Sequence, residues 1–99
     1  MISPTVRVKK LCEGAKLPER RSFGAAAYDL YYPYNEAVTL YPNDLQIVST
    51  GLAMEIPDGW KGEIYSRSGL ASKGIFVVNQ PGKIDSDYRG EIKVLLYNS

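Results

Sequence analysis

Residues 41–65 read Y-P-N-D-L-Q-I-V-S-T-G-L-A-M-E-I-P-D-G-W-K-G-E-I-Y, and the fold follows from how this stretch is punctuated. Tyr41–Asp44 is a strong turn, because proline presets φ while Asn and Asp close the bend with side-chain hydrogen bonds. The runs L-Q-I-V-S and G-L-A-M-E-I-P follow, then P-D-G turns the chain again and W-K-G-E-I-Y returns as a strand. Working outward, T-V-R-V-K (Thr5–Lys9) alternates apolar and polar residues with the period of a half-buried strand. Y-D-L-Y-Y and A-V-T-L, rich in aromatic or β-branched residues, flank P-Y-N-E as further strand material. I-F-V-V and E-I-K-V-L-L-Y-N complete the set, and L-C-E-G-A-K-L-P-E-R reads as an irregular connection after the first strand. Turn signals recur about every 8 to 12 residues and no stretch keeps a 3.6-residue period, so an all-β barrel or sandwich is predicted.

Composition narrows the chemistry. A chain of 99 residues makes one domain, 1–99, whose small core is expected to draw stability from a partner chain. The 44% hydrophobic content excludes disorder. A net charge of +1 supplies no general attraction to nucleic acid or to anionic membrane, so any bound anion must be held by a local site. The lone Cys12 forms no internal disulfide, and no signal-length or membrane-spanning apolar segment is present, which fits the cytoplasm. There is no histidine, which removes the usual general base and the commonest metal ligand together. Catalysis, if any, rests on carboxylates.

Three short motifs carry candidate chemistry. In G-A-A-A-Y-D-L (Gly24–Leu30), small residues permit close approach and Asp29 could face a metal-bound water, or simply cap a turn. In S-R-S-G-L-A-S-K-G (Ser66–Gly74), backbone N–H groups, a hydroxyl and the Arg67 guanidinium offer converging donors for a di- or triphosphate. A polar surface loop accounts for the same residues, and the P-loop pattern is absent. The third, N-Q-P-G-K-I-D-S-D-Y-R-G (Asn79–Gly90), looks like the tip of a tight hairpin with two carboxylates, an arginine and a tyrosine. An EF-hand reading fails, since its fifth position is Arg89 and its twelfth is Leu96. A solvated tip explains Ser86 and Arg89. It explains less well why Asn79, Pro81 and Gly82 precede Ile84 and Asp85 in a rigid bend.

Together, in this order and spacing, A-A-A-Y-D-L, S-R-S-G-L-A-S-K-G-I and N-Q-P-G-K-I-D-S-D-Y-R-G-E-I-K-V closely resemble the first three motifs of the trimeric dUTP diphosphatases of bacteria and phages. The resemblance covers nearly the whole chain. It implies a jelly-roll-like, β-clip fold, a homotrimer with shared active sites, and Mg2+-dependent hydrolysis of dUTP to dUMP and pyrophosphate. By resemblance, Asp85 would be the general base acting on the water that attacks the α-phosphorus. Asn79, with the backbone of Lys83 and Ile84, would line the uracil pocket. Tyr88 would pack on the deoxyribose and exclude a 2′-hydroxyl. Arg67, Ser68 and Gly69 would bind phosphates, and Asp29 would lie near the metal's water shell. Lys93 matches a further pocket position, although strand alternation would equally let it pair with Glu91. Asp87 and Arg89 would brace the hairpin or a neighbouring subunit.

The sequence departs from that family at Ala27, where Gly or Ser is frequent, at Ser66, where Pro is frequent, and at Lys83, where a small or apolar residue is usual. The family also continues for roughly 40 residues, with a fourth motif and a glycine-rich arm over the phosphates. On that resemblance the fold is expected to be incomplete at its C-terminus, with exposed sheet edges. Two alternatives stand beside the hydrolase: a nucleotide-binding or regulatory relative without turnover, and the related dCTP deaminase branch, which the R-S-G-L and D-S-D-Y-R-G signatures fit less well.

Overall fold

The computed structural model describes residues 4–99. Its strands are β1 (Arg7–Lys10), β2 (Leu45–Glu55), β3 (Gly62–Ile64), β4 (Ile75–Val77), β5 (Gly82–Ile84) and β6 (Glu91–Asn98), with one short helix, α1 (Ser68–Ala71). They form an antiparallel sheet in the order β1-β2-β6-β4 and a two-stranded sheet, β3-β5. The all-β expectation holds. Among the described residues no helix is long and apolar enough to cross a membrane.

Both predicted turns of residues 41–65 form. The Asp44 N–H donates to the Tyr41 carbonyl at 2.9 Å and the Tyr41 N–H to the Asp44 carboxylate at 3.0 Å, with Asn43 at φ 67°. Asn is one of the few side chains that tolerates this left-handed conformation. Trp60 closes the second turn onto Pro57 at 3.1 Å.

Between the turns, the two apolar runs are one strand with a bulge. Ser49 pairs with Lys93 and Ala53 with Glu91, so Thr50, Gly51 and Leu52 of β2 all face the single residue Ile92 of β6. This is why three consecutive positions are buried where alternation would bury every second one. The bulge satisfies its own backbone. The Thr50 hydroxyl donates to the Ile92 carbonyl at 2.6 Å and accepts the Leu52 N–H at 3.2 Å. The Gly51 N–H donates to the Glu91 carboxylate at 3.1 Å, and its carbonyl accepts the Leu11 N–H at 2.7 Å.

The segment containing Y-D-L-Y-Y and A-V-T-L departs from expectation. It forms no strand; one isolated bridge joins Asp29 to Glu19. It pairs with no strand of either sheet, and Tyr28 and Tyr34 stay at least half exposed. β propensity needs a neighbouring strand to act. The predicted strand Trp60–Tyr65 shortens to Gly62–Ile64 because its partner β5 offers only three residues.

The core lies between the sheets. Ile84 of β5 meets Ile92 of β6 and Ile56, with Leu30, Met54 and Ile64 packed around them. Leu52 and Ile92 are the largest fully buried side chains, each worth about 1.5–3 kcal/mol of burial. The surface is correspondingly large. A self-contained protein of this mass exposes about 5,600 Å2, whereas this chain exposes 7315 Å2. Much of the excess is apolar: Ile47 on β2 is 64% exposed and Leu45 55%.

Candidate functional site

The stretch Asn79–Gly90 is not a simple hairpin tip. β4 and β6 are antiparallel neighbours, with Val77 opposite Leu96 and the Val78 N–H bonded to the Leu95 carbonyl at 3.0 Å. The chain then leaves this ladder through a cis Gln80–Pro81 bond and builds β5 against β3. It turns at Asp85–Tyr88, where the Tyr88 N–H bonds the Asp85 carbonyl at 3.1 Å, before entering β6. Arg89 fastens this turn. Its Nη1 donates to the Ser86 carbonyl at 2.6 Å and the Tyr88 carbonyl at 3.2 Å, while Nη2 lies 4.0 Å from the Glu55 carboxylate. The expected bracing role of Arg89 is thus met within the chain.

This excursion opens a cavity of about 200 Å3 lined by Asn79, Lys83, Ile84, Asp85, Tyr88 and Lys93, with Ile64, Val77 and Ile92 among its apolar wall. Six of the sequence-predicted residues therefore converge on one space. Its volume is below the roughly 300–1,000 Å3 of pockets for larger ligands, and suits a group the size of a nucleobase. Tyr88 is fixed at the rim: its hydroxyl donates to the Glu91 carbonyl at 2.8 Å and its ring lies over Gly90, where a side chain would collide with it. The closing hydrogen bond of the turn uses the backbone carbonyl of Asp85, leaving its carboxylate out of that contact.

Lys83 pairs in register with Glu63 across β3-β5. The Glu63 carboxyl is held below the usual carboxylate range, first by the Tyr65 hydroxyl bonded to it at 2.6 Å and then by Lys61 at 3.3 Å, with Lys83 a smaller contributor. The same hydrogen bond raises the Tyr65 phenol. Lys93 does not ion-pair with Glu91 among the described residues; that carboxylate is taken by the Gly51 N–H.

A second cavity, of about 450 Å3, holds Asp29, Arg67 and Ser68 beside Tyr31, Tyr65 and a largely apolar wall that includes Val48, Phe76 and Leu96. Arg67 Nε stands 3.8 Å from Asp29 Oδ1, joining the first and second motifs. Tyr31 is pushed up, chiefly by partial burial and next by Glu19 and Asp29. Gly69 lines neither cavity, and a side chain there would meet nothing within 4 Å. Ala27 lines the second cavity.

Two contacts escaped the sequence reading. The Ser66 N–H donates to the Gln80 side-chain oxygen at 2.7 Å, and the Ser66 hydroxyl accepts the Val77 N–H at 2.9 Å. A glutamine next to a proline carries no sequence signal of a partner 14 positions away.

Known proteins share the sequence and the fold of this chain. A sequence model of the dUTPase family matches residues 13–99. Deoxyuridine 5'-triphosphate nucleotidohydrolase of Rhizobium johnstonii is 49% identical over 102 residues, which covers 98% of this chain and 65% of the relative. That of Hydrogenobaculum sp. is 50% identical over 92 residues, covering 92% and 63%. The chain thus spans just under two thirds of the length of these relatives. Among solved structures, a mutant dUTPase from phage phi11 of S. aureus, described with a structural Mg(II) ion, superposes with a TM-score of 0.83 at 37% identity, covering 95% of this chain and 60% of that one. A mutant dUTPase of Staphylococcus bacteriophage 80alpha with dUpNHpp gives 0.84 at 37% identity, covering 95% of this chain and 54% of that one.

Proposed function

The chain belongs to the dUTPase family, and from that premise we propose that it forms the nucleoside pocket and part of the phosphate site of an enzyme hydrolysing dUTP to dUMP and pyrophosphate. The observation that carries this reading is the convergence of Asn79, Lys83, Ile84, Asp85, Tyr88 and Lys93 on one base-sized cavity. The Asn79 carboxamide, with the backbone of Lys83 and Ile84, would present donors and acceptors to the edge of uracil, with discrimination against a 5-methyl group falling to the surrounding cavity wall. Tyr88, pinned to Glu91, packs against the sugar where a 2′-hydroxyl would stand.

Asp85 then holds the attacking water. Its task is positional: to hold that water in line with the α-phosphorus and accept its proton. The water oxygen bonds to the α-phosphorus and its proton passes to Asp85. The bond to the bridging oxygen breaks, and pyrophosphate departs with the electron pair. Arg67 and Ser68 stabilise the negative charge that gathers on the leaving phosphates.

The acidic residues suit indirect metal binding. Among the described residues no group of three or more Asp, Glu or Cys side chains is placed to hold a metal ion, while Asp29 lies beside Arg67 and is bridged through its backbone to Glu19. Mg2+ keeps much of its water and binds readily to substrate phosphates, so Asp29 would contact its water shell. When bound, the ion would neutralise phosphate charge.

We also assign a homotrimer with shared sites. The two cavities of one chain hold different parts of the machinery, and the excess apolar surface, including Ile47 and Leu45, calls for cover.

Asp85→Asn in the full polypeptide tests the reading. Pyrophosphate release from dUTP in the presence of Mg2+ should fall by about 10^2 to 10^4, with dUMP binding retained. Undiminished turnover refutes the assignment. Deoxyuridine-nucleotide binding without turnover in the parent favours the regulatory relative instead, and activity on dCTP in place of dUTP favours the deaminase branch.

A further inference from the structure

We propose that Glu91 is a positioning residue for sugar selectivity, linking the bulge of β2 to the Tyr88 phenol; the proposal rests on the reading of the base-sized cavity as a nucleoside pocket. Glu91 makes two bonds in different directions. Its carboxylate accepts the Gly51 N–H at 3.1 Å, 40 positions away in sequence, and its carbonyl accepts the Tyr88 hydroxyl at 2.8 Å. Glu91 and Tyr88 line the same cavity as Asn79, Lys83 and Asp85. The link therefore works inside the nucleoside pocket of one protomer, whichever protomer supplies the phosphate loop.

The bulge is a firm anchor. A β-carbon at Gly51 would stand 2.7 Å from Cys12 Sγ, 3.2 Å from Ala15 Cβ and 3.3 Å from Pro33 Cγ, so the backbone there is packed in closely, and its carbonyl is held by the Leu11 N–H at 2.7 Å. The Gly51 N–H has no partner in the ladder, because the register passes from Ser49–Lys93 directly to Ala53–Glu91, and a half-buried amide needs an acceptor. Glu91 supplies a charged oxygen, which bonds more strongly than a neutral one. None of the ion pairs among the described residues involves Glu91, so its carboxylate serves this amide. The next peptide is held as well: Ile92 is buried and its carbonyl accepts the Thr50 hydroxyl at 2.6 Å. With its side chain and the following carbonyl both fixed, Glu91 presents its own carbonyl to Tyr88 in one orientation. Tyr88 is 45% exposed, so packing alone does not hold the ring, and this hydrogen bond decides where it stands against the sugar.

Two substitutions in the full polypeptide separate this link from simple loss of structure. Glu91→Gln keeps an oxygen acceptor for the Gly51 N–H, whereas Glu91→Met keeps the length of the side chain and removes the acceptor. The ratio of the UMP to the dUMP dissociation constant, measured by calorimetry, should fall about fivefold in Glu91→Met and stay within about twofold of the parent in Glu91→Gln. A loss of folded protein weakens both nucleotides together and cancels in this ratio. The carbon NMR shift of Tyr88 Cζ, which reports the hydrogen bond of the phenol, should move in Glu91→Met and not in Glu91→Gln. Glu91→Asp, one methylene short of the Gly51 N–H, should lower the ratio about threefold and decides the matter if Glu91→Met does not fold. The proposal is overturned if the acceptor-deficient variant keeps the parent's ratio, if Glu91→Gln loses selectivity to the same extent, if the Tyr88 signal is unmoved when the acceptor is lost, or if the parent binds UMP as tightly as dUMP. A parent that prefers dUMP yet releases no pyrophosphate from dUTP defeats the hydrolase reading and leaves this test intact.

Discussion

Gly90→Ala isolates the group assigned to sugar discrimination. A β-carbon at position 90 would stand 2.6 Å from the Tyr88 hydroxyl oxygen, 2.8 Å from Cζ and 3.2 Å from Cε1. Ordinary contact begins near 3.4 Å, so the phenol end must retreat by about 0.8 Å. That displacement loosens the 2.8 Å bond to the Glu91 carbonyl, a loss of about 1 kcal/mol. Gly90 is not among the residues of positive φ, so alanine fits the backbone and recovers about 0.4–1 kcal/mol through the unfolded state. Net stability should hardly change. Selectivity should change, because the ring no longer sits firmly against the sugar. We expect the ratio of kcat/KM for dUTP over UTP to fall about tenfold, equivalent to about 1.4 kcal/mol. Pyrophosphate release from both nucleotides measures the ratio, and thermal unfolding checks that the fold is intact. A ratio within twofold of the parent, at unchanged Tm, refutes the assignment of Tyr88.

Other expectations concern the bulge and the β3 edge. Thr50→Val should destabilise the fold by about 2–3 kcal/mol, because the Ile92 carbonyl and Leu52 N–H both lose their buried partner; denaturant titration measures it. Gly51→Ala should cost at least as much, about 2–4 kcal/mol: the residue lies at φ 70° and its new methyl would stand 2.7 Å from Cys12 Sγ. In Tyr65→Phe, the Glu63 carboxyl should titrate closer to its usual range, as read by carbon NMR of the side chain. The pH dependence has two signs. Glu63, lowered in the fold, contributes above its unfolded pKa and loses that contribution as pH falls through the folded value. Tyr65, raised, contributes below its unfolded pKa and loses it as pH rises through the folded value. Both limbs should flatten in the variant.

The sequence was legible where a local rule decides the outcome. Tyr41–Asp44 and Pro57–Trp60 turn because Pro, Asn and Gly dictate backbone angles, and β6 forms over the run Glu91–Asn98. Motif residues Asn79, Ile84, Asp85 and Tyr88 share a cavity because three of them lie within one short excursion and the fourth stands at its entrance. Residues 28–40 were misjudged for the opposite reason: aromatic content favours a strand only when a neighbouring strand exists, and topology supplies none. The pairing of β5 with β3, rather than a plain hairpin, is likewise a tertiary choice that no feature of N-Q-P-G-K-I announces.

The bulge shows why stability and site geometry cannot be assigned to separate residues in this fold. Thr50, Gly51 and Leu52 crowd opposite Ile92, and the residues on either side of Ile92 are Glu91, whose carbonyl anchors Tyr88, and Lys93, which lines the base-sized cavity. The Glu91 side chain closes the bulge through the Gly51 N–H while its main chain holds the phenol. A β2 strand of regular register would restore alternation and remove the need for Thr50 as a buried partner. It would also move Glu91 along the ladder, and with it the acceptor that fixes Tyr88. The irregularity in the larger sheet is therefore part of what shapes the pocket. A substitution at Thr50 should consequently be felt in sugar selectivity as well as in denaturation, although Thr50 lines the second cavity and not the first.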